Sequence, residues 1–274
     1  MPISYLFSPA DNAHKIEKAF SSDTNALILD LEDGVALAQK VIARKVLLET
    51  IAELRNQQLI NKPFYIRCNS AKSTFIQDDI TLIQQIHPAG VMLPKCEFTG
   101  DIEFITQALP DLEVLPLIET VAGIRQLQHL NKIHSSVKRL AFGAVDYALD
   151  LGTAWTISGA ERDYAMNQIV FFSRVLELAP PVDAVFPLLN NPDAYSDDVL
   201  CGKQKGFHGK MAIHPAQLTA IHDAYYLSPD ELQWHRKVVD AYKNFQHTGA
   251  FELDGKLIDL PVYRHSRLIL DSVI

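Results

Sequence analysis

Residues 26–68, ALILDLEDGVALAQKVIARKVLLETIAELRNQQLINKPFYIRC, decide the fold because they join two strand patterns through a helix pattern. The runs Ala26–Leu31 and Phe64–Cys68 are short and mostly apolar, as expected of strands that are buried on both faces. Between them, apolar residues recur at the spacing that lines one helix face: Ala43, Leu47, Ile51 and Leu54. A strand, a crossing helix and a second strand make one unit of a parallel sheet.

The same alternation continues along the chain and yields eight predicted strands. They are Ser4–Ser8, Ala26–Leu31, Phe64–Cys68, Gly90–Leu93, Glu113–Ile118, Arg139–Gly143, Asp183–Pro187 and Gly209–Ile213. Eight strand-then-helix units predict an α/β fold of the (β/α)8 TIM-barrel class, with parallel strands and right-handed crossovers. An open doubly wound sheet is the alternative, but the turn after the first strand, SPADN at residues 8–12, lacks the glycines typical of that fold.

Residues 1–245 are predicted to form the catalytic barrel, and residues 246–274 a short C-terminal tail. The tail contains the turn Asp254-Gly255 and the segment KLIDLPVYRHSRLIL, and it is too short to be a domain. We therefore expect it to act as a lid, which covers either the barrel mouth or a neighbouring subunit. Asn12 and Ser228-Pro229 have the chemistry of helix starts.

Composition excludes several classes of protein. The 274 residues are 48% hydrophobic, which excludes a disordered chain, and 33 acidic against 25 basic residues give a net charge of −8 without a basic block for nucleic acid. We see no signal peptide and no apolar run long enough to span a membrane. Cys68, Cys96 and Cys201 are too widely spaced for a disulfide framework or a zinc site, so we expect a reducing cytoplasmic location.

Ionisable side chains lie at the carboxyl ends of five consecutive predicted strands, where barrel enzymes place their active sites. They are Asp30, Glu32 and Asp33 at the end of the second strand, Arg67 (with Asn69) at the end of the third, Lys95 (with Pro94) at the fourth, Glu119 at the fifth and Asp146 at the sixth. Carboxylates gathered at one mouth repel each other unless a cation lies among them. Glu119 and Asp146, completed by water and substrate oxygens, suit a hard divalent ion, with magnesium as first choice and manganese as the alternative.

Arg67 offers a planar set of donors for a carboxylate or a developing enolate oxygen. A metal, an arginine and supporting carboxylates together indicate enolate chemistry beside a carbonyl, and hence carbon–carbon cleavage or formation. The sequence contains neither the GxSxG motif of a serine hydrolase nor the GxxxxGK[ST] motif of a P-loop enzyme.

Each of these residues also has a structural interpretation. Glu119 taken alone could be a helix cap or a solvated turn residue, and for Asp30 a role as a turn cap is favoured over catalysis. Asp33 could belong to a simple Asp-Gly turn, and Lys95 could be a solvated charge at the barrel rim. His214, beside a proline, is interpreted as structural. The agreement of five consecutive strands favours a functional site.

Seven segments follow each other in a specific order: SYLFSPADNAHKIEKAF (4–20), LILDLEDGV (27–35), YIRCN (65–69), GVMLPK (90–95), PLIETVAGI (116–124), LAFGAVDYALDLG (140–152) and GFHGKMAIHPAQL (206–218). This ordered set resembles the citrate lyase β-subunit-like branch of the HpcH/HpaI aldolase superfamily, over about Tyr5 to Asp259. The resemblance implies a magnesium-dependent (β/α)8 barrel, a homotrimer or hexamer, that cleaves a β-hydroxyacyl thioester into an acyl thioester and a 2-oxo acid by retro-Claisen chemistry.

The resemblance also implies roles for individual residues. The implied metal ligands are Glu119 and Asp146. The implied catalytic residues are Arg67, which stabilises the thioester enolate, Glu32 and Asp33, which bind the waters of the metal and orient Arg67, and Asp259. The expected substrate-binding residues are Arg67, Glu119, Pro94 and Lys95. Asp259, in the tail segment GKLIDLP, would protonate the enolate in a neighbouring subunit, unless it only caps the last helix.

The expected substrate is a CoA thioester, citramalyl-CoA before malyl-CoA, cleaved to acetyl-CoA and a short 2-oxo acid. The alternatives are a citrate lyase β subunit acting on citryl thioester bound to an acyl carrier protein, a malyl-CoA thioesterase, and a non-catalytic binding subunit. Three segments depart from the family pattern: SPADN lacks the usual basic residue, His208 stands where many relatives have Asp, and FPLLNNPDAYSDD (186–198) lacks the usual aspartate pattern. These departures bear on acyl-group specificity more than on the metal site.

Overall fold

A computed structural model of the protein describes residues 1–98, 100–245 and 249–272. The chain divides into two compact units, one of residues 2–225 and one of residues 226–274 together with Met1. This boundary comes before the division expected at residues 245 and 246. Of the predicted tail, residues 246–248, 273 and 274 lie outside the described residues.

The first unit contains one sheet with seven strands among the described residues. They are β1 (Ser4–Pro9), β2 (Ala26–Asp30), β3 (Phe64–Arg67), β4 (Gly90–Leu93), β5 (Glu113–Ile118), β6 (Ala141–Phe142) and β7 (Lys210–Ala212). Their order is β6-β5-β4-β3-β2-β1-β7, and every pair of neighbours is parallel. The α/β fold with a parallel sheet is confirmed, and the carboxyl ends of these strands lie along one edge.

The predicted strand Asp183–Pro187 does not form over its full range, because among the described residues only single parallel bridges occur near its start. Val182 bridges to Ala141 of β6, and Asp183 bridges to Lys210 of β7. Pro187, the last residue of the predicted strand, has no N–H to donate to a ladder. The N–H of Ala184 donates to the Asp183 carboxylate at 2.8 Å, so it too is withdrawn from strand pairing.

Nine helices of this unit lie between or after the strands, counted among the described residues. They are α1 (Ala13–Phe20), α2 (Lys40–Asn56), α3 (Ile76–Ile86), α4 (Asp101–Ala108), α5 (Val121–Leu127), α6 (Ala144–Asp150), α7 (Asp163–Val175), α8 (Pro192–Lys205) and α9 (Leu218–Tyr225). The predicted start of α1 is confirmed, because the Asn12 side chain accepts a hydrogen bond from the Lys15 N–H at 3.0 Å. Short 3-10 turns at Leu37–Gln39 and Pro215–Gln217 precede α2 and α9.

Two apolar layers hold the sheet, because successive side chains of a strand point to opposite faces. The larger layer packs the helices on the outer face and includes the predicted stripe of α2, with Ala43 and Leu47 fully buried. The smaller layer contains Tyr5, Tyr65 and Met92 from alternate strand positions on the other face. The same alternation places Arg67, two residues after Tyr65, on the face of the smaller layer.

The second unit consists of α10 (Pro229–Asn244), the antiparallel pair β8 (Phe251–Leu253) and β9 (Lys256–Ile258), and α11 (Leu260–Ser272). The predicted start of α10 is confirmed by a capping box between Ser228 and Glu231. Among the described residues of the whole chain, no helix combines the length and apolar character needed to cross a membrane.

Candidate active site

Arg67, the last residue of β3, is held by two carboxylates. Its Nε and Nη2 donate to the two oxygens of Asp30 at 2.7 and 2.6 Å, and its Nη1 lies 3.1 Å from Glu32 Oε2. The strand register pairs Asp30 directly with Arg67, so the parallel sheet itself sets this contact. Burial acts to lower the pKa of Arg67, but the charges of Asp30 and Glu32 raise it above its usual value. The guanidinium also lies over the ring of Phe7, 5.0 Å from its centroid.

Asp30 closes the turn after β2, which is the structural interpretation favoured from the sequence, and it also holds Arg67. Its carboxylate accepts hydrogen bonds from the N–H groups of Glu32 and Gly34, at 2.9 and 2.8 Å, and so closes the turn after β2. The same two oxygens fix Arg67. A Cβ at position 34 would lie 2.3 Å from Asp30 Oδ2, so glycine is needed for the turn to close on this carboxylate.

Lys95 joins the turn after β2 to the end of β5, so it is more than a solvated rim charge. Its ammonium contacts the Glu32 carboxylate and lies 3.4 Å from Asp33 Oδ2. Its backbone N–H donates to Glu119 Oε1 at 2.8 Å, with Lys95 in the left-handed region at φ 51° after Pro94. Burial raises the pKa of Glu32, whereas the Lys95 charge overcomes burial at Asp33 and lowers its pKa.

Glu119 and Asp146 form a second acidic group beside the first. Glu119 follows β5 and is 1% exposed, and Asp146 lies in the first turn of α6. Burial, and then the negative charge of Asp146, raise the pKa of Glu119 to about 8. Gly143 leaves room for this carboxylate, since a Cβ there would lie 2.4 Å from Glu119 Oε2. These two side chains are therefore close enough for their negative charges to repel each other.

The donor chemistry of Glu119 and Asp146 fits a hard divalent cation. Carboxylate oxygens are the ligands that magnesium prefers, and it commonly takes one or two of them together with water and substrate oxygens. No group of three or more His, Cys, Asp and Glu side chains able to hold a metal occurs in the described ranges. A cation between these two carboxylates would remove the repulsion that raises the pKa of Glu119.

A network of four polar residues lies behind the site, and three of them were not predicted: Lys40 and Asp79, which are buried, and Arg44, which is half-buried. The fourth is Asn69, which was expected to lie with Arg67. Asp79 accepts from both the N–H and the side-chain amide of Asn69 at 2.7 Å and from Arg44 Nε at 2.8 Å. The amide of Asn69 and the ammonium of Lys40 both donate to the Leu31 carbonyl. The sequence offered one sign that Lys40 is buried. Lys40 precedes Ala43 by three positions, which places it on the same helix face as the buried apolar stripe.

Two further predicted residues have local structural partners. Asp259 Oδ1 accepts from the Val262 N–H at 3.1 Å, so it caps α11 in the second unit, which is the structural interpretation left open for it. Its proposed action on a neighbouring subunit stays a prediction. His214 Nδ1 accepts from the Ala216 N–H at 3.1 Å, as expected of a structural histidine.

The family model described as HpcH/HpaI aldolase/citrate lyase matches residues 4–215. The chain belongs to this family. It is 30% identical over 275 residues to a citrate lyase subunit beta-like protein of Deinococcus radiodurans, covering 97% of this chain and 95% of that protein. It is 25% identical over 284 residues to the mitochondrial citramalyl-CoA lyase of Homo sapiens, covering 96% and 82% of the two chains.

Among solved structures, the chain resembles the protein CitE from Mycobacterium tuberculosis in complex with magnesium, acetoacetate and coenzyme A. The TM-score is 0.80 at 27% sequence identity, over 98% of this chain and 96% of that chain. Membership of a family of aldolases and lyases confirms both the resemblance inferred from the sequence motifs and the expectation of a lyase.

Proposed function

We propose that this protein is a magnesium-dependent carbon–carbon lyase that cleaves a β-hydroxyacyl-CoA of the citramalyl-CoA or malyl-CoA type to acetyl-CoA and a 2-oxo acid. The observation that supports this most strongly is the placement of Arg67, fixed by Asp30 and Glu32, among the same strand ends as the uncompensated pair Glu119 and Asp146. The names of the human relative and the ligands of the M. tuberculosis structure agree with this chemistry.

In this proposal Glu119 and Asp146 hold the magnesium ion, with manganese as a substitute. Bound there, the ion supplies Lewis acidity that favours ionisation of the substrate hydroxyl and orients its carboxylate. Glu32 and Asp33 hold water molecules around the ion, and Glu32 also keeps Arg67 in place. Pro94 and Lys95 line the substrate pocket.

The cleavage balances without an added reactant. The hydroxyl group gives its proton to water, the alkoxide becomes the C=O group of the 2-oxo acid, and the bond between that carbon and the carbon next to the thioester breaks. The electron pair of that bond becomes the enolate of the acetyl thioester, whose negative oxygen Arg67 stabilises. A carboxylic acid then protonates the enolate carbon, and we assign this step to Asp259 of a neighbouring copy.

The proposal extends to the assembly of the fold and of the subunits. We propose that residues 182–183 close the sheet into an eight-stranded barrel, supported by their bridges to β6 and β7. The role of Asp259 requires a homo-oligomer, which we propose to be a trimer or a hexamer. We propose a cytoplasmic location, with which the three free cysteines among the described residues agree: Cys68, Cys96 and Cys201. As partners we propose small molecules rather than nucleic acid or membrane.

The test is product formation from citramalyl-CoA, malyl-CoA and citryl-CoA with Mg²⁺, with EDTA and the Glu119→Ala variant as controls. We expect acetyl-CoA with pyruvate or glyoxylate, lost in both controls. Release of free CoA with malate would instead identify a thioesterase. Activity only on carrier-bound citryl thioester would identify a citrate lyase β subunit, and neither activity nor Mg²⁺-dependent thioester binding would favour a non-catalytic subunit.

A further inference from the structure

We infer that Lys40 is a positioning residue of this site, which fixes the main chain of residues 31–33 so that the Glu32 carboxylate faces Arg67 and Lys95. The inference rests on the proposed function for its kinetic consequence. The contacts that support it are independent of any ligand.

Lys40 is a buried cation that binds the main chain rather than an acid. It is the first residue of α2 and is 3% exposed. Its Nζ donates to the Leu31 and Glu32 carbonyls, at 2.6 Å in each case. No ion pair in the described part of the chain includes Lys40, and its Nζ lies over the Phe75 ring, 6.0 Å from the centroid. Because desolvating an ammonium group is costly, two charge-assisted hydrogen bonds to adjacent carbonyls imply a fixed geometry there.

Glu32 is the residue on which this geometry acts. Its N–H donates to Asp30 Oδ1 at 2.9 Å, and its carboxylate contacts Arg67 Nη1 and the Lys95 ammonium. Its carbonyl accepts from Lys40 and from the Val35 N–H at 3.1 Å. Without Lys40 the Glu32 carbonyl keeps only the hydrogen bond from the Val35 N–H. The peptide group between Glu32 and Asp33 is then no longer fixed by a side chain of α2.

The chain offers a matched control for the loss of a buried cation. Arg139 is 1% exposed and also donates to backbone carbonyls, among them those of Pro2 and Pro180, at 2.9 and 3.0 Å. It precedes β6, whereas the site residues follow their strands, so it lies at the opposite end of the sheet. Lys45, an exposed residue of α2 that pairs with Glu49 at 3.8 Å, is the surface control.

A double-mutant cycle between Lys40 and Glu32 tests the inference kinetically. We expect Lys40→Met to lower kcat by about 30-fold with little change in KM, because a misplaced Glu32 weakens stabilisation of the transition state only. In a Glu32→Gln background the same change should lower kcat by less than about 3-fold, because coupled residues are not additive. Lys40→Arg should retain more activity than Lys40→Met, and Lys45→Met should match the wild type.

Arg139→Met separates positioning from a general loss of stability. It should lower the unfolding temperature, and its effect on kcat should multiply with that of Glu32→Gln. Independent, multiplying effects of Lys40→Met and Glu32→Gln would overturn the inference. If Lys40→Met does not fold, Lys40→Gln takes its place in the cycle.

A second readout does not depend on activity. In crystal structures of the metal-free variants, we expect the Glu32 carboxylate to leave Arg67 in Lys40→Met and to stay in Arg139→Met. An unmoved Glu32 in Lys40→Met would refute the role of Lys40. If the wild-type protein cleaves no thioester, the proposed function fails, and this comparison still decides the inference about Lys40.

Discussion

Replacing Asp30 by asparagine tests whether the salt bridge to Arg67 holds the site together. Each oxygen of Asp30 accepts one hydrogen bond from Arg67 and one from the backbone of the following turn. In Asp30→Asn an NH2 group replaces one of these oxygens, so two of the four hydrogen bonds are lost in either orientation of the amide. The NH2 group then faces a guanidinium donor, and Arg67 keeps only Glu32 as a partly compensating charge.

The magnitude follows from burial. The side chains of Asp30 and Arg67 are 5% and 11% exposed, so solvent screens the pair weakly. Removing one partner of a buried ion pair costs about 3–5 kcal/mol. Because Glu32 remains 3.1 Å from Arg67, we expect the lower part of this range, about 3–4 kcal/mol of unfolding free energy. For a unit of this size that corresponds to a fall in Tm of roughly 6–16 °C.

The assay is thermal unfolding followed by the fluorescence of Trp155, in a Trp234→Phe background. Trp155 belongs to the first unit and packs on Phe186 with a centroid distance of 5.2 Å, so its signal reports unfolding of the unit that contains the site. The control is Asp78→Asn. Asp78 lies 3.4 Å from Arg44 but is 69% exposed, and loss of such a surface pair should cost less than about 1 kcal/mol.

A Tm for Asp30→Asn within the range of the Asp78→Asn control would refute the reasoning. It would mean that Glu32 alone fixes Arg67 and that the Asp30 contacts add no net stability. Lyase activity gives an independent check, because a released guanidinium is no longer oriented toward the enolate. We expect kcat of Asp30→Asn to fall by about 10²-fold.

Three further outcomes are expected. Gly143 has φ −107° and ψ 84°, where alanine is allowed, and Gly143→Ala places a Cβ 2.4 Å from Glu119 Oε2. We expect this substitution to weaken Mg²⁺ binding in calorimetry by about 10–100-fold. Unchanged binding would exclude Glu119 as a ligand. Without divalent cations, the pKa of about 8 at Glu119 means that the folded protein retains a proton that the unfolded chain loses above its usual value of 4.5. The stabilisation from this bound proton is therefore complete below pH 4.5 and is lost as the pH rises to 8. In that range the free energy of unfolding should fall by up to about 1.4 kcal/mol per pH unit. Glu119→Gln should reduce this slope in urea titrations. Arg67→Lys loses the planar donors and should lower kcat by about 10²–10³-fold with the fold intact by circular dichroism, whereas near-normal kcat would exclude enolate stabilisation by the guanidinium.

The part of the site that could be predicted follows from one rule of parallel sheets. Side chains after the strands meet at one edge, and this rule located Arg67, Lys95 and Glu119 without knowledge of any contact. It could not assign partners, since the bidentate contact of Arg67 depends on the register with Asp30. Similarly, the apolar run at residues 183–187 resembles a strand, but strand pairing depends on free N–H groups. The Ala184 N–H donates to the Asp183 carboxylate instead, and Pro187 has no N–H.

The buried polar residues behind the site were harder to predict because their partners are backbone carbonyls. Lys40 and Arg44 begin α2 four residues apart, and such a pair is commonly solvated on a helix surface. Only the folded structure shows that the Leu31 and Glu32 carbonyls and the Asp79 carboxylate lie against them. A charged residue in register with a buried stripe is therefore a useful sign of an internal hydrogen-bond network.

The distribution of charge explains why the two halves of the site differ. Three carboxylates at the carboxyl end of β2 face two cations: Asp30 and Glu32 contact Arg67, and Glu32 and Asp33 contact Lys95. The pair of Glu119 and Asp146 has no ion pair among the described residues, and Glu119 receives only the backbone N–H of Lys95. With all five carboxylates ionised, the five carboxylates and two cations give −5 + 2 = −3. The carboxylates without a cationic partner are Glu119 and Asp146, so a divalent cation bound there would change the net charge of the site from −3 to −1. It would bind where the pKa of a carboxylate is already raised to about 8.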